Sequence, residues 1–181
     1  MSKRTGKDRK RLVIDASIAR SAGQTDHPVS GSCREFLQRV LEICHRLVVS
    51  DAILAEWQRH ASRYTRKWRA AMYARKKVDR IDVDPDDATA KRIKALPMSA
   101  RKRDALLKDR HLIEAALGTD CIVASGDDKT RGILKEFLSD WPAVRRLVWV
   151  NPGKPDEKCG EWLAAGAKPD PGRMIGNAAR H

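Results

Sequence analysis

No two cysteines in this chain stand at a C-x-x-C spacing, and none falls into a zinc-like pattern. Cys33, Cys44, Cys121 and Cys159 therefore read as free thiols, and Cys44 and Cys121, in apolar neighbourhoods, are expected to be buried. That usage fits a reducing cytoplasm. Long hydrophobic runs are missing as well. Behind the charged stretch MSKRTGKDRKR only three apolar residues precede Asp15, which reads as neither a secretory signal nor a membrane span; a cytoplasmic protein away from the membrane is expected. Acid is scarce beside base, 24 Asp+Glu against 37 Lys+Arg, for a net charge of +13 and a pI near 10. Such an excess attracts polyanions, nucleic acid first. There is no internal repeat, and no G-x-G-x-x-G follows Asp15, which counts against a dinucleotide-binding enzyme. Hydrolases that use a strand-end aspartate as nucleophile want a second acid two positions on, where this chain has Ser17.

What is present fits one α/β domain: 181 residues, 41% of them hydrophobic. Residues 1–11 carry six basic side chains and one acid and read as a basic N-terminal arm. Apolar runs at 12–15, 47–50, 78–83, 121–125 and 147–150 predict strands. Helical periods fill 32–45, 51–76, 85–96, 100–117 and 130–140. This alternation predicts a three-layer α/β/α sandwich with a mainly parallel central sheet over residues 12–152. From 153 to 181 Pro and Gly become frequent, which predicts an irregular C-terminal tail with one short helix around 161–165.

The apolar run Leu12-Val13-Ile14 ends on Asp15, and Cys121-Ile122-Val123-Ala124-Ser125-Gly126 closes on Asp127-Asp128. Sites in parallel sheets lie beyond the carboxyl ends of strands, although an acid there also suits a turn or a helix cap. On a helix over 105–117, Asp109 would lie within roughly 60° of Leu106, Leu112, Ile113 and Ala116, at ~100° per residue. A carboxylate in that buried face needs a basic partner or a cation. On the helix expected over 51–76, His60, Arg63 and Lys67 form a ridge with Glu56, each within about 40° of it. This is either a solvated face with i,i+4 pairs or the wall of a phosphodiester site. Trp57, Tyr64 and Trp68 line the adjacent face, where core or interface is the simpler reading than base stacking. Carboxylates brought together repel unless a cation intervenes, and oxygen ligands without clustered Cys or His favour Mg²⁺ or Mn²⁺.

Taken in order, VIDAS, AILAEW, DRHLIEAA and ASGDDKTR resemble the motifs of the PIN domain, a metal-dependent ribonuclease fold found in many bacterial and archaeal toxins. The resemblance covers residues 12–152. It implies Asp15, Glu56, Asp109 and Asp127 as catalytic metal ligands, with Ser17 and Ser125 as supporting hydroxyls. Asp128 is an extra acid that many relatives lack, and it competes with Asp127 for the ligand role. The implied activity is an endoribonuclease, the toxin of a toxin–antitoxin pair, with His60, Arg63, Lys67, Lys129 and Arg131 holding the RNA backbone. A housekeeping RNA-processing nuclease and a non-catalytic nucleic-acid-binding module of the same fold are the alternatives. The basic run KRIKALPMSARKR and the tail have no readable motif; either offers a surface to an antitoxin peptide, a second subunit in a homodimer, or RNA.

Overall fold

The computed structural model describes residues 9–23, 25–82 and 86–177. Five short strands form one all-parallel sheet: β1 (Arg11–Ile14), β2 (Arg46–Val49), β3 (Val78–Arg80), β4 (Ile122–Ala124) and β5 (Val148–Val150), in the order β3-β2-β1-β4-β5. Leu12 pairs with Leu47 on one side and Ile122 on the other, and the central strands are buried except at their first residues Arg11 and Arg46. Continuous apolar runs without alternation are what such doubly covered strands require. The chain builds outward from β1 to β3, then returns to lay β4 on the opposite side of β1. That reversal opens a crevice beyond the ends of β1 and β4.

Helices cover the sheet as an α/β/α sandwich. One group comprises α1 (Ala16–Ser21), α2 (Pro28–Glu42), α3 (Asp51–His60), α4 (Arg63–Ala74) and α9 (Cys159–Ala164), with α2 packed on α1, α4 and α9. The other comprises α5 (Ala88–Ala95), α6 (Ala100–Lys108), α7 (Arg110–Leu117) and α8 (Asp128–Glu136), with α6 packed on the other three. Among the described residues no helix is long and apolar enough to cross a membrane.

Several expected boundaries move. The helix expected over 51–76 is two, because Ala61 is extended and Ser62 caps α4, its Oγ accepting from Thr65 N–H at 3.2 Å. The same hydroxyl donates to the Ala22 carbonyl, and Thr65 Oγ1 donates to that of Ala19, so α1 holds the corner in place. A serine that caps one helix and satisfies the end of another outcompetes a continuous helix. The ridge of Glu56, His60, Arg63 and Lys67 is therefore split between two helices. The helix expected over 100–117 breaks at Asp109, whose backbone (φ −98°, ψ 9°) ends α6 and starts α7. Helix α2 starts at Pro28 rather than 32, since His27 accepts from Val29 N–H and Pro28 suits the first turn. Strand β3 ends at Arg80, and residues 83–85 lie outside the described residues.

Burial of the thiols is reversed. Cys33 and Cys159 are buried, whereas Cys44 and Cys121 are half-buried in connections flanking the sheet. Cys33 lies on the same inward face of α2 as Phe36, Leu37 and Val40, a helical period that outweighs local hydrophobicity. Of the basic arm, residues 1–8 lie outside the described residues, while Arg11 already belongs to β1 and pairs with Asp120 at 2.8 Å. Residues 153–177 carry the expected short helix, as α9, and pack onto the domain. Trp162, Leu163, Ala167 and Ile175 join the core, and Ile175 N–H and Arg173 C=O bond the backbone of Leu147 and Trp149 along the β5 edge. A short antiparallel bridge, Val148 to Met174, covers the edge strand.

Candidate active site

Asp15 follows β1 directly. Its backbone opens α1, but its side chain does not cap that helix. Instead Oδ2 accepts hydrogen bonds from Ser17 Oγ at 2.5 Å and Ser125 Oγ at 2.8 Å. Each hydroxyl in turn accepts a backbone N–H from the loop after β4: Gly126 to Ser17 and Asp127 to Ser125, both at 3.0 Å. Two hydroxyls, each used as acceptor and donor, thus lace the end of β1 to the end of β4, and such chains of bonds reinforce one another. Neighbouring Trp57, fully buried in α3, donates Nε1–H to the Ile14 carbonyl at 2.9 Å.

Asp127 caps α8, its Oδ1 accepting from Lys129 and Thr130 N–H at 2.9 and 3.0 Å. One turn on, Thr130 Oγ1 donates to Asp109 Oδ2 at 2.7 Å. The break between α6 and α7 thus places this acid, only 8% exposed, beside the end of β4. Its former helix neighbours Leu106, Leu112, Ile113 and Ala116 are buried as the apolar period required. Glu56 Oε2 meets His111 Nε2 at 3.1 Å where α3 touches α7.

Asp15, Glu56, Asp109 and Asp127 line one cavity of about 330 Å³, and Arg20, His60 and Lys108 complete its polar wall. Burial pushes the Asp109 carboxyl up to about 6, and the charges of Asp15 and Asp127 add to the rise, against the Thr130 hydrogen bond and Lys108. An acid held this far above its ordinary range in a cleft is a mark of functional sites.

In each of the four acids one oxygen is held by the protein. The other (Asp15 Oδ1, Asp109 Oδ1, Asp127 Oδ2, Glu56 Oε1) takes no hydrogen bond among the described residues. Four carboxylates that line one cavity, each with a bare oxygen and with no thiol among them, fit a hard divalent cation in donor type. The side chains as they stand are not closed into a coordination shell: among the described residues no group of three or more His, Cys, Asp or Glu is arranged to hold a metal ion. Mutual repulsion keeps uncompensated carboxylates apart, so a cation would have to draw them inward.

The remaining expected residues lie elsewhere. Asp128 turns from the cavity to Lys154, at 2.7 Å, and Asn151, at 3.0 Å, so of the two neighbouring acids only Asp127 faces the cavity. Arg131 pairs with Glu157 at 2.7 Å, with both side chains largely buried. That contact ties α8 to the C-terminal segment and removes Arg131 from the proposed backbone contacts. Arg131→Gln is expected to cost about 1–3 kcal/mol, because Glu157 keeps a charge without its partner. Chemical denaturation checks this, and unchanged stability would return Arg131 to the residues expected to hold a polyanion. Arg63, Lys67 and Lys129 are exposed and do not line the cavity. Arg20, Lys108, His111 and Thr130 were not anticipated. Lys108 and His111 flank Asp109 in sequence and Thr130 lies three residues after Asp127, but nothing local separates them from other polar residues.

No model of a known protein family and no curated protein matches the chain.

Proposed function

We propose that this protein is a metal-dependent endoribonuclease of PIN type, hydrolysing RNA phosphodiester bonds as the toxin of a toxin–antitoxin pair. The observation that carries the reading is the cavity at the β1/β4 switch point, where each of four acids keeps one oxygen tied and one bare. Asp15, Glu56, Asp109 and Asp127 would hold Mg²⁺ or Mn²⁺. When bound, such an ion lowers the pKa of water and offsets charge on a phosphate undergoing in-line displacement.

The chain's own residues supply the rest. Ser17 and Ser125 hold Asp15 in one orientation, Thr130 does so for Asp109, and His111 for Glu56. Lys108 and Arg20 bring positive charge to the same wall and would seat the scissile phosphate and its neighbour; His60 offers a ring nitrogen beside them. With no cation bound, burial holds the Asp109 carboxyl at about 6, and a divalent ion bound at its bare oxygen would displace the proton. Water attacking phosphorus in line with the 3′ oxygen would leave a 5′ phosphate and a 3′ hydroxyl. A net charge of +13 favours the RNA substrate and, equally, an acidic antitoxin.

Asp15→Asn keeps both serine contacts but removes the charge. Induced expression of the wild type is expected to arrest growth while the variant does not. Purified wild-type protein should cut RNA with Mg²⁺ or Mn²⁺ and stop with a chelator. Cleavage without arrest would remove the toxin role and leave the nuclease; metal-dependent cleavage retained by the variant would remove Asp15 from the site.

A further inference from the structure

The basic run that ends in SARKR opens α6, and it faces α8 across a groove of about 320 Å³ separate from the catalytic cavity. Ser99, Arg101 and Lys102 line one wall. Lys129, Ile133 and Glu136 line the other, at the i, i+4, i+7 positions that share one helix face. Three cations meet one acid, and that acid is engaged with Lys102. Arg101 and Lys129 are exposed, and their side chains have no ion-pair or hydrogen-bond partner among the described residues. At Gly132 a side chain would meet nothing within 4 Å, so the groove floor is open.

Both walls also reach the catalytic cavity. Lys108 closes α6 and Asp127 caps α8, and each lines the cavity. Helix α6 is 9 residues long, roughly 13 Å at ~1.5 Å per residue. That is about the reach of three to four nucleotide steps at ~3.4 Å. Cations therefore continue from the cavity along one path: Lys108 at the cavity, then Lys129, Arg101 and Lys102 lining the groove.

We propose that the groove between α6 and α8 binds the phosphodiester backbone of the RNA strand leaving the catalytic cavity, through Arg101, Lys102 and Lys129. The proposal rests on the nuclease reading above, and it gives that site a flank: substrate extends several nucleotides to one side of the cut. It also accounts for Arg101 and Lys129, whose charges otherwise have no partner across the groove among the described residues.

The test uses the full chain, a chelator to prevent turnover, and a fluorescein-labelled oligouridylate of about 12 nucleotides, a length within the usual range of single-strand sites. Arg101→Gln combined with Lys129→Gln removes two exposed charges without disturbing the Lys102–Glu136 pair. Binding should weaken about tenfold at ~0.1 M salt, and the log–log salt slope should become shallower by about 1.4, at ~0.7 per single-strand phosphate contact. A dinucleotide, whose single step cannot span cavity and groove, should show less of the difference. An unchanged slope with the longer probe, in a wild type that binds and cleaves RNA, would overturn the groove and leave the nuclease. Equal weakening of both probes would also overturn it, since the charges would then act at the cavity itself. Unchanged RNA binding with lost affinity for poly-glutamate would give the groove to an acidic protein instead. A wild type that binds no RNA at low salt would overturn the groove and the nuclease together.

Discussion

Asp109→Asn is expected to abolish the proposed RNA cleavage while making the metal-free protein more stable at neutral pH. The first effect follows from losing a charged ligand in a cavity whose other acids cannot replace it; a fall on the order of 10³-fold or more is expected. The second follows from the direction in which burial moves this carboxyl. In the folded state it titrates at about 6, against an ordinary 3.8. Between those values the folded protein binds more protons than the unfolded chain, so stability falls as pH rises through that window, and the whole penalty stands above it. Two units correspond to about 3 kcal/mol at most, and relaxation of the cavity will reduce it. Asn is neutral at every pH and keeps an oxygen for the Thr130 hydroxyl, whose bond to Asp109 is the shortest contact this acid makes. In a chelator, urea unfolding should show a gain of about 1–3 kcal/mol at pH 7.5 and little at pH 4. Divalent ion should then stabilise the wild type and not the variant. A variant less stable than wild type at pH 7.5 would contradict the account of a strained acid. One that still cleaves RNA would contradict the assignment of its role. Loss of activity with a gain in stability is the pattern expected where a site is strained for function.

Trp57→Ala should be the most destabilising single change near the site. Trp57 is fully buried, stacks on Trp68 at 5.9 Å between ring centroids, and donates to the Ile14 carbonyl. Removing the ring costs about 3–5 kcal/mol, a large share of the ~5–15 kcal/mol available to a domain. Trp57→Phe keeps most of the apolar surface but leaves the carbonyl before Asp15 without that donor, for about 1–2 kcal/mol. At ~2–4 °C per kcal/mol for a chain of this size, thermal melts should separate the two. The Phe variant should also lose cleavage beyond its stability loss, measured well below its melting point, because the end of β1 is no longer held. Equal melting of wild type and the Phe variant would show that the indole N–H contributes nothing there.

Much of this architecture was written locally. The apolar runs of β1, β2, β4 and β5 needed only their own residues to be recognised, since a strand covered on both faces reads as a near-continuous apolar run. Asp15 and Asp127 stood out because a carboxylate closes each of two such runs, and Asp109 because it interrupts an apolar helical period. The breaks at Ser62 and Asp109 were hidden because serine and aspartate both fit within a helix as well as at its end. What favoured the break was distant: the α1 carbonyls reaching Ser62 and Thr65, and Thr130 reaching Asp109. Arg131 and Asp128 looked like site residues for a similar reason. Their true partners, Glu157 and Lys154, lie in a segment whose proline and glycine content concealed that it folds back.

By itself, then, the sequence determined an α/β chain, its strand and helix alternation, its basic charge and the acids able to matter, because each depends on side-chain periods of two or 3.6 residues within one segment. Tertiary structure alone decided that β1 and β4 are neighbours, that four acids share a cavity with Arg20, His60 and Lys108, and that Asp128 and Arg131 face away. Those facts depend on strand order and on which long-range hydrogen bonds outcompete local ones, and no window of the sequence contains both partners.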